Sequence, residues 1–194
     1  MSASKNFVSL KDETIQMFQN PFLEWCSRIH WSYPLIIWVP VLIASLTYAI
    51  INFELSITSI ILYFILGLFA WTLIEYMTHR FVFHYHPTSA LGQKLHFLMH
   101  GVHHDYPNDS KRLVMPPLMS FLLAIPFFLC FYYGLDQGAK SFSSFSGVIF
   151  GYLCYDMLHY AVHHAKWQNS YFEKLKKHHM AHHFVHPDAG YLKQ

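Results

Sequence analysis

Ten of the sixteen histidines in this 194-residue chain fall into four short clusters: His79-x4-His84, His100-x2-His103-His104, His159-x3-His163 and His179-x2-His182-His183. Residues three and four apart share a helix face. His100 with His103 and His104, His159 with His163, and His179 with His182 and His183 are therefore each expected to converge on one point and grip a metal ion. His79 and His84 are five apart, which on an ideal helix is a rotation of about 140°. The helix between them is expected to end or bulge. A lone histidine is most often satisfied in the core or faces solvent, but four clusters at these spacings predict metal binding. One ion takes roughly four to six ligands, so ten imidazoles predict two ions.

Imidazole suits zinc, iron, copper and nickel alike, so the task must choose the metal. The clusters adjoin apolar segments, and there is no obvious nucleophile or Ser/His/Asp arrangement. That setting fits oxygen activation on acyl chains better than hydrolysis, which favours iron; zinc, without redox chemistry, is able to take the same ligands in purified protein. Glu75, four residues before His79, and Asp156, three before His159, sit on apolar helices where a carboxylate needs a partner. They are expected to orient imidazoles from behind. His96, four before His100, is expected as a further ligand or as a donor supporting the ligands. Asp105 and Asp109 read as solvated loop residues, His164 and His178 as neighbours of ligands, and His30, His86 and His186 as surface or interface residues.

The elements that position these residues are apolar. The chain is 54% hydrophobic and 12% charged, a balance that belongs to a membrane-embedded domain. The stretches Tyr33 to Phe53, Leu55 to Ile74, Leu113 to Leu135 and Ser141 to Tyr155, the last continuing to about His163, approach the roughly 20 apolar residues that a spanning helix needs. Pro40 and Pro126 interrupt two of them, which membrane helices tolerate. Of the thirteen lysines and arginines only Lys140 lies in a hairpin turn, so the positive-inside rule predicts two hairpins entering from the cytosol. The reading is an all-α integral membrane protein with about four transmembrane helices and a cytosolic histidine-rich helical cap. Residues 1–32 form an N-terminal interfacial arm, 33–77 and 113–165 the transmembrane hairpins, and 78–112 and 166–194 the cap. From Ser9 to Arg28 an amphipathic interfacial helix and an irregular arm packed on the cap fit equally.

Cys26, Cys130 and Cys154 are far apart and form no CxxC, which excludes a disulfide framework and fits a reducing compartment. The charged first thirty residues hold no signal-peptide core. A net charge of +2, with scattered basic residues, argues against nucleic acid.

The segments "SLKD", "PLIIWVP", "EYMTHRFVFH", "HFLMHGVHHDYPNDSKRLVMPP", "YDMLHYAVHH" and "LKKHHMAHHF" resemble the fatty acid 2-hydroxylases of the fatty acid hydroxylase/sterol desaturase superfamily, from about Val8 to Gly190. The histidine boxes alone specify only the superfamily; the run from His96 to Pro117, ending in Arg112-Leu113-Val114-Met115-Pro116-Pro117, is narrower. The resemblance implies that the ten histidines are the ligands of a diiron centre. It implies a monooxygenase that uses O2 and external electrons to hydroxylate C2 of a long fatty acyl chain, free or in a sphingolipid or ceramide. Many eukaryotic relatives begin with a cytochrome b5 domain carrying His-Pro-Gly-Gly, which is missing from these residues, so a separate electron donor is expected, a cytochrome b5 or another reductase or ferredoxin. Relatives also continue past the last histidine box, whereas this sequence stops at "GYLKQ". The expected location is the endoplasmic reticulum in a eukaryote or the cytoplasmic membrane in a bacterium, with the metal site facing the cytosol. Arg112 is a candidate for a lipid headgroup or, equally, a snorkelling surface arginine. Two other readings stay open: a superfamily hydroxylase or desaturase acting on a sterol or carotenoid, and a metal carrier without catalysis.

Overall fold

The computed structural model describes residues 7–185, so His186 and the final "GYLKQ" lie outside the described residues. The described chain is all-α: α1 (Pro21–Ser27), α2 (Tyr33–Asn52), α3 (Ile57–Thr78), a π-helical turn (His79–Phe83), α4 (Ala90–His96), a second π-helical turn (Phe97–Gly101), α5 (Val102–Asp105), α6 (Pro117–Gly134), α7 (Ala139–His164) and α8 (Ser170–Phe184). It divides into two compact units, one of Met1–Arg28, Tyr76–Leu113 and Leu158–Gln194, the other of Ile29–Glu75 and Val114–Met157.

The second unit is a membrane bundle. Helices spanning Tyr33–Asn52, Ile57–Phe83 and Pro117–Gly134 are long and apolar enough to cross a bilayer, with only 22, 11 and 6% of their apolar windows buried. Pro34 and Pro117 occupy first-turn positions, where the missing N–H costs nothing. Pro40 and Pro126 lie inside continuous helices. The fourth expected span, α7, differs from the other three and is not among the helices apolar enough to cross. Its side chains Phe145, Ile149, Tyr152 and Leu153 form the buried core with Trp38 of α2, and Trp71 of α3 and Ala124 and Phe128 of α6 pack on it. Ser141, Ser143, Ser144 and Ser146 are fully buried. A helix enclosed by its neighbours needs close approach more than lipid-facing bulk, and serines permit it.

The α3–α7 crossing uses glycine for the same reason. A Cβ on Gly67 would fall onto the Ser144 backbone, one on Gly147 onto the Phe64 carbonyl and the Leu68 nitrogen, and one on Gly151 onto the Trp71 side chain. Gly147 and Gly151 are four apart, the small-xxx-small spacing of tightly crossed membrane helices. The turn before α7 places Gln137 at φ 56°, and Asp136 accepts from the Gly138 amide at 3.0 Å. Ser45 of α2 donates to the Phe142 carbonyl of α7 at 3.1 Å, and the Trp38 indole donates to Ser120 of α6 at 3.0 Å.

The other unit contains α1, α4, α5, α8, both π-helical turns and the C-terminal turns of α7. Its apolar nucleus is Ala161, Val162 and Phe172, supported by Ala165 and Leu175. Asn169 caps α8 by accepting from the Phe172 amide at 2.8 Å, and Ser89 caps α4 by accepting from Gly92. The arm before α1 is irregular and is tied to the loop after α5. The Val8 and Ser9 amides donate to the Asp105 carbonyl at 2.9 and 3.1 Å, and Ser110 donates its amide to Asp12 at 2.9 Å. Thr14 donates to Asp109 at 2.7 Å. Asp109 is 1% exposed, so the solvated position expected for it is corrected: it is an internal anchor. Arg112, with its side chain 4% exposed, closes the clamp through Glu24 at 2.8 Å and Asp109 at 3.5 Å. Its guanidinium also donates to the Ile15 carbonyl and the Ser27 hydroxyl, each at 2.7 Å.

Two expectations follow. Gly147→Ala forces the α3 and α7 backbones apart and costs about 1–3 kcal/mol, read as a lower melting temperature in detergent. Gly134→Ala, with nothing within 4 Å, leaves the melting temperature unchanged. Arg112→Ala strands two buried carboxylates and costs about 3–5 kcal/mol, read as a lower melting temperature and faster proteolysis of the arm. A headgroup-binding arginine would instead raise KM at unchanged melting temperature.

Candidate metal centre

All ten clustered histidines belong to the unit holding α4, α5 and α8. The spacing of five between His79 and His84 is resolved by the π-helical turn His79–Phe83, the expected irregularity. A π-helical turn, closed by i→i+5 bonds, brings such residues nearly into line, and the two Nε2 atoms lie 3.1 Å apart. His96 is not in either metal-binding group; its Nε2 lies 2.6 Å from the Phe83 carbonyl and holds the end of that turn just before His84. The second π-helical turn, Phe97–Gly101, carries His100.

The histidines regroup in space. His103, His159, His163, His179 and His183 bring one ring nitrogen each to within 4.8 Å of one another, and His79, His84, His100 and His182 form a second such set. The expectation that the clusters at helical spacing each converge on one point is therefore corrected for two of the three. His100 parts from His103, and His182 parts from His179 and His183. Successive residues on a helix differ by about 100°, so the adjacent pair His182-His183 faces two ways and α8 contributes to both sets. His104 lies outside both mutually close sets, with its Nε2 2.9 Å from that of His100 and its ring 4.8 Å from His182 and 4.5 Å from His183.

The nitrogens face one another. Nε2 of His159 is 3.0 Å from that of His103, and Nε2 of His179 is 2.8 Å from that of His163 and 3.0 Å from that of His183. Nitrogens this close are near enough to share one ion. Burial first, and then neighbouring imidazoles, hold His100, His103, His104, His179 and His183 far below the ordinary histidine range, His104 at about 3. Each ring is neutral at pH 7, the form that donates to a metal. Converging lone pairs in a buried place are relieved by a cation, so the residues fit the metal ions that the spacing predicts. Among the described residues, the buried Nδ1 atoms of His103, His163 and His183 have no hydrogen-bond partner.

The remaining candidates divide. The His159 ring hydrogen-bonds the Leu113 backbone, a support that sequence reading missed because a carbonyl leaves no side-chain signature. Glu75 and Asp156 belong to the other unit. There Glu75 meets the Tyr155 hydroxyl, and Asp156 accepts from the Met115 amide at 3.2 Å and from Tyr152. Arg112, the headgroup candidate, is engaged by Glu24, Asp109, Ser27 and Ile15 as described, in the loop that follows His104.

The chain is similar to known proteins of one family. A profile of the fatty acid hydroxylase family matches residues 64–193. The chain is 38% identical over 179 residues to the ceramide very long chain fatty acid hydroxylase of Schizosaccharomyces pombe, covering 88% of this chain and 49% of that protein. It is 35% identical over 184 residues to a dihydroceramide fatty acyl 2-hydroxylase of Arabidopsis thaliana, covering 91% and 73%. It is 37% identical over 197 residues to the fatty acid 2-hydroxylase of Homo sapiens, covering 91% and 53%. The chain thus spans about half the length of the yeast and human relatives. The solved structure of full-length scs7p, in which only the hydroxylase domain is visible, superposes with a TM-score of 0.81 at 37% identity, covering 90% of this chain and 65% of that one. With the histidine boxes inside the matched region and the fold shared, the chain belongs to the fatty acid hydroxylase family.

Proposed function

We propose that this chain is a membrane monooxygenase that hydroxylates C2 of a long fatty acyl chain, either free or amide-linked in a ceramide-like lipid. The observation that carries this reading is the pair of all-histidine sets with facing Nε2 atoms. His103, His159, His163, His179 and His183 hold one ion; His79, His84, His100 and His182, with His104 beside them, hold the second. Iron bound there supplies the redox chemistry with dioxygen that zinc lacks. In the overall change one C–H bond becomes C–OH, the second oxygen atom leaves as water, and two electrons and two protons enter.

The chain's own residues position the ions and keep their ligands neutral. The Phe83 carbonyl through His96, and the Leu113 carbonyl through His159, restrain the backbone and ring orientation around the centre. Glu75 and Asp156 stabilise the helices that lead into His79 and His159. Burial of the imidazoles keeps water and protons from competing for the ligand atoms. The names of the yeast, plant and human relatives support an acyl substrate and the C2 position. The distribution of lysine and arginine supports a cytosolic face for the metal centre, on the endoplasmic reticulum or a bacterial cytoplasmic membrane.

Two measurements test this. Elemental analysis of protein folded with iron is expected to find two ions per chain, and His103→Ala with His183→Ala to lower the count to about one. Acyl chains from a host lacking 2-hydroxy lipids are expected to acquire 2-hydroxy species with the wild type and none with His100→Ala/His104→Ala. A hydroxyl on a sterol or carotenoid would transfer the reading to that substrate, and metal-loaded, reduced protein without product would make it a carrier.

A further inference from the structure

Hydroxylation by dioxygen needs two electrons from outside, and the three cysteines are isolated thiols that supply none. The surface that could receive a donor is visible on α8. That helix turns His179, His182 and His183 inward, with Phe172 beside them. By helix geometry Lys174 and Lys177 lie about 140–160° around from His179, and both are exposed, as are Lys166 and His178. Tyr171, 72% exposed, lies on the stripe of Lys174 and His178, and Trp167, 58% exposed, precedes the helix and packs on Phe172 with ring centroids 4.8 Å apart. From Ala165 to Val185 there are four lysines, Lys166, Lys174, Lys176 and Lys177, against one acid, Glu173. That segment therefore carries +3, whereas the whole chain carries +2. On the back of the helix that carries His179, His182 and His183 lie Lys174 and Lys177 with Glu173 beside them, and Lys166 is exposed in the segment just before it.

We infer that the outer face of α8, with Tyr171, Lys174 and Lys177, together with Lys166 in the segment before it, is the docking surface for an acidic one-electron carrier protein. The inference rests on the monooxygenase reading and names its partner. Exposed aromatic residues are enriched at recognition surfaces, and opposite charge steers association. A carrier seated there lies about one helix diameter, roughly 10–12 Å, from the ligand nitrogens. An anionic membrane surface fits this face less well. Gln168, Asn169, Ser170 and Glu173 interrupt it, leaving too little apolar area for an interfacial helix.

The test uses iron-loaded protein in nanodiscs of zwitterionic lipid, with the reduced soluble haem domain of cytochrome b5 and, separately, a plant-type ferredoxin as acidic carriers. Lys166→Glu/Lys174→Glu/Lys177→Glu is expected to raise the apparent Kd for carrier at least tenfold and to flatten the dependence of electron transfer on ionic strength. Melting temperature, iron content and hydroxylation driven by dithionite with a viologen mediator are expected to stay as in the wild type. Lys94→Glu, the same reversal on α4, is expected to change nothing. Unchanged affinity for both carriers in the triple variant overturns the inference. So does unchanged carrier affinity accompanied by loss of flotation with phosphatidylserine vesicles, which would make the face a lipid contact. Wild type that binds carrier but forms no hydroxylated product with any reductant overturns the monooxygenase reading instead.

Discussion

Ten imidazoles crowded together and turned toward one another impose the central constraint on this protein. A buried polar atom without a partner is costly, and converging lone pairs add repulsion to that cost. The arrangement is stable when cations lie between the nitrogens and strained when they do not. Metal ions bound there would couple the folding of this unit to their binding, because the two sets draw on α5, α7, α8 and both π-helical turns. Apart from the histidines, the small nucleus around Ala161, Val162 and Phe172 and the bond from Lys176 to the Ala165 carbonyl join the end of α7 to α8.

Rings drawn from five separate segments must meet to within tenths of an ångström, and regular helices alone do not allow it. The two π-helical turns, at His79–Phe83 and Phe97–Gly101, provide the adjustment. Each widens the helix at a ligand and changes the direction in which the following residues point. Such a turn weakens its own backbone hydrogen bonding, and it persists because its surroundings hold it, here through the contact of His96 with the Phe83 carbonyl. The arm acts at the next remove. Asp105, directly after His104, accepts two amides from Val8 and Ser9, and Asp109 and Arg112 tie the same loop to Thr14 and Glu24.

Much of this was legible from residue types. The spacing of five between His79 and His84 demands irregular backbone, and the apolar stretches locate the helices. The pairing of ligands was not legible, because a His-x2-His-His cluster offers two directions and tertiary packing decides which ion each ring serves. Asp109 looked solvated because its partners, Thr14 and Arg112, lie on segments whose proximity the sequence does not declare. The Leu113 and Phe83 carbonyls have no side chain to betray them. One signal was present and unread: Gly147-x3-Gly151, with Ser143 four residues before, marks α7 as the tightly enclosed helix rather than a fourth lipid-facing span.

That distinction bears on how the centre is supported. A helix facing lipid is free to tilt and rotate within limits set by its anchors. One whose backbone touches α3 at Gly67 and Gly147, and whose Asp156 accepts from Tyr152 and the Met115 amide, is not. His159 and His163 ride on the same unbroken helix as those contacts. Within the bundle α7 is therefore held in place by its own backbone contacts. This gives a physical reason for a polar, serine-rich helix in a membrane protein: lipid solubility is left to α2, α3 and α6, and α7 is built for position.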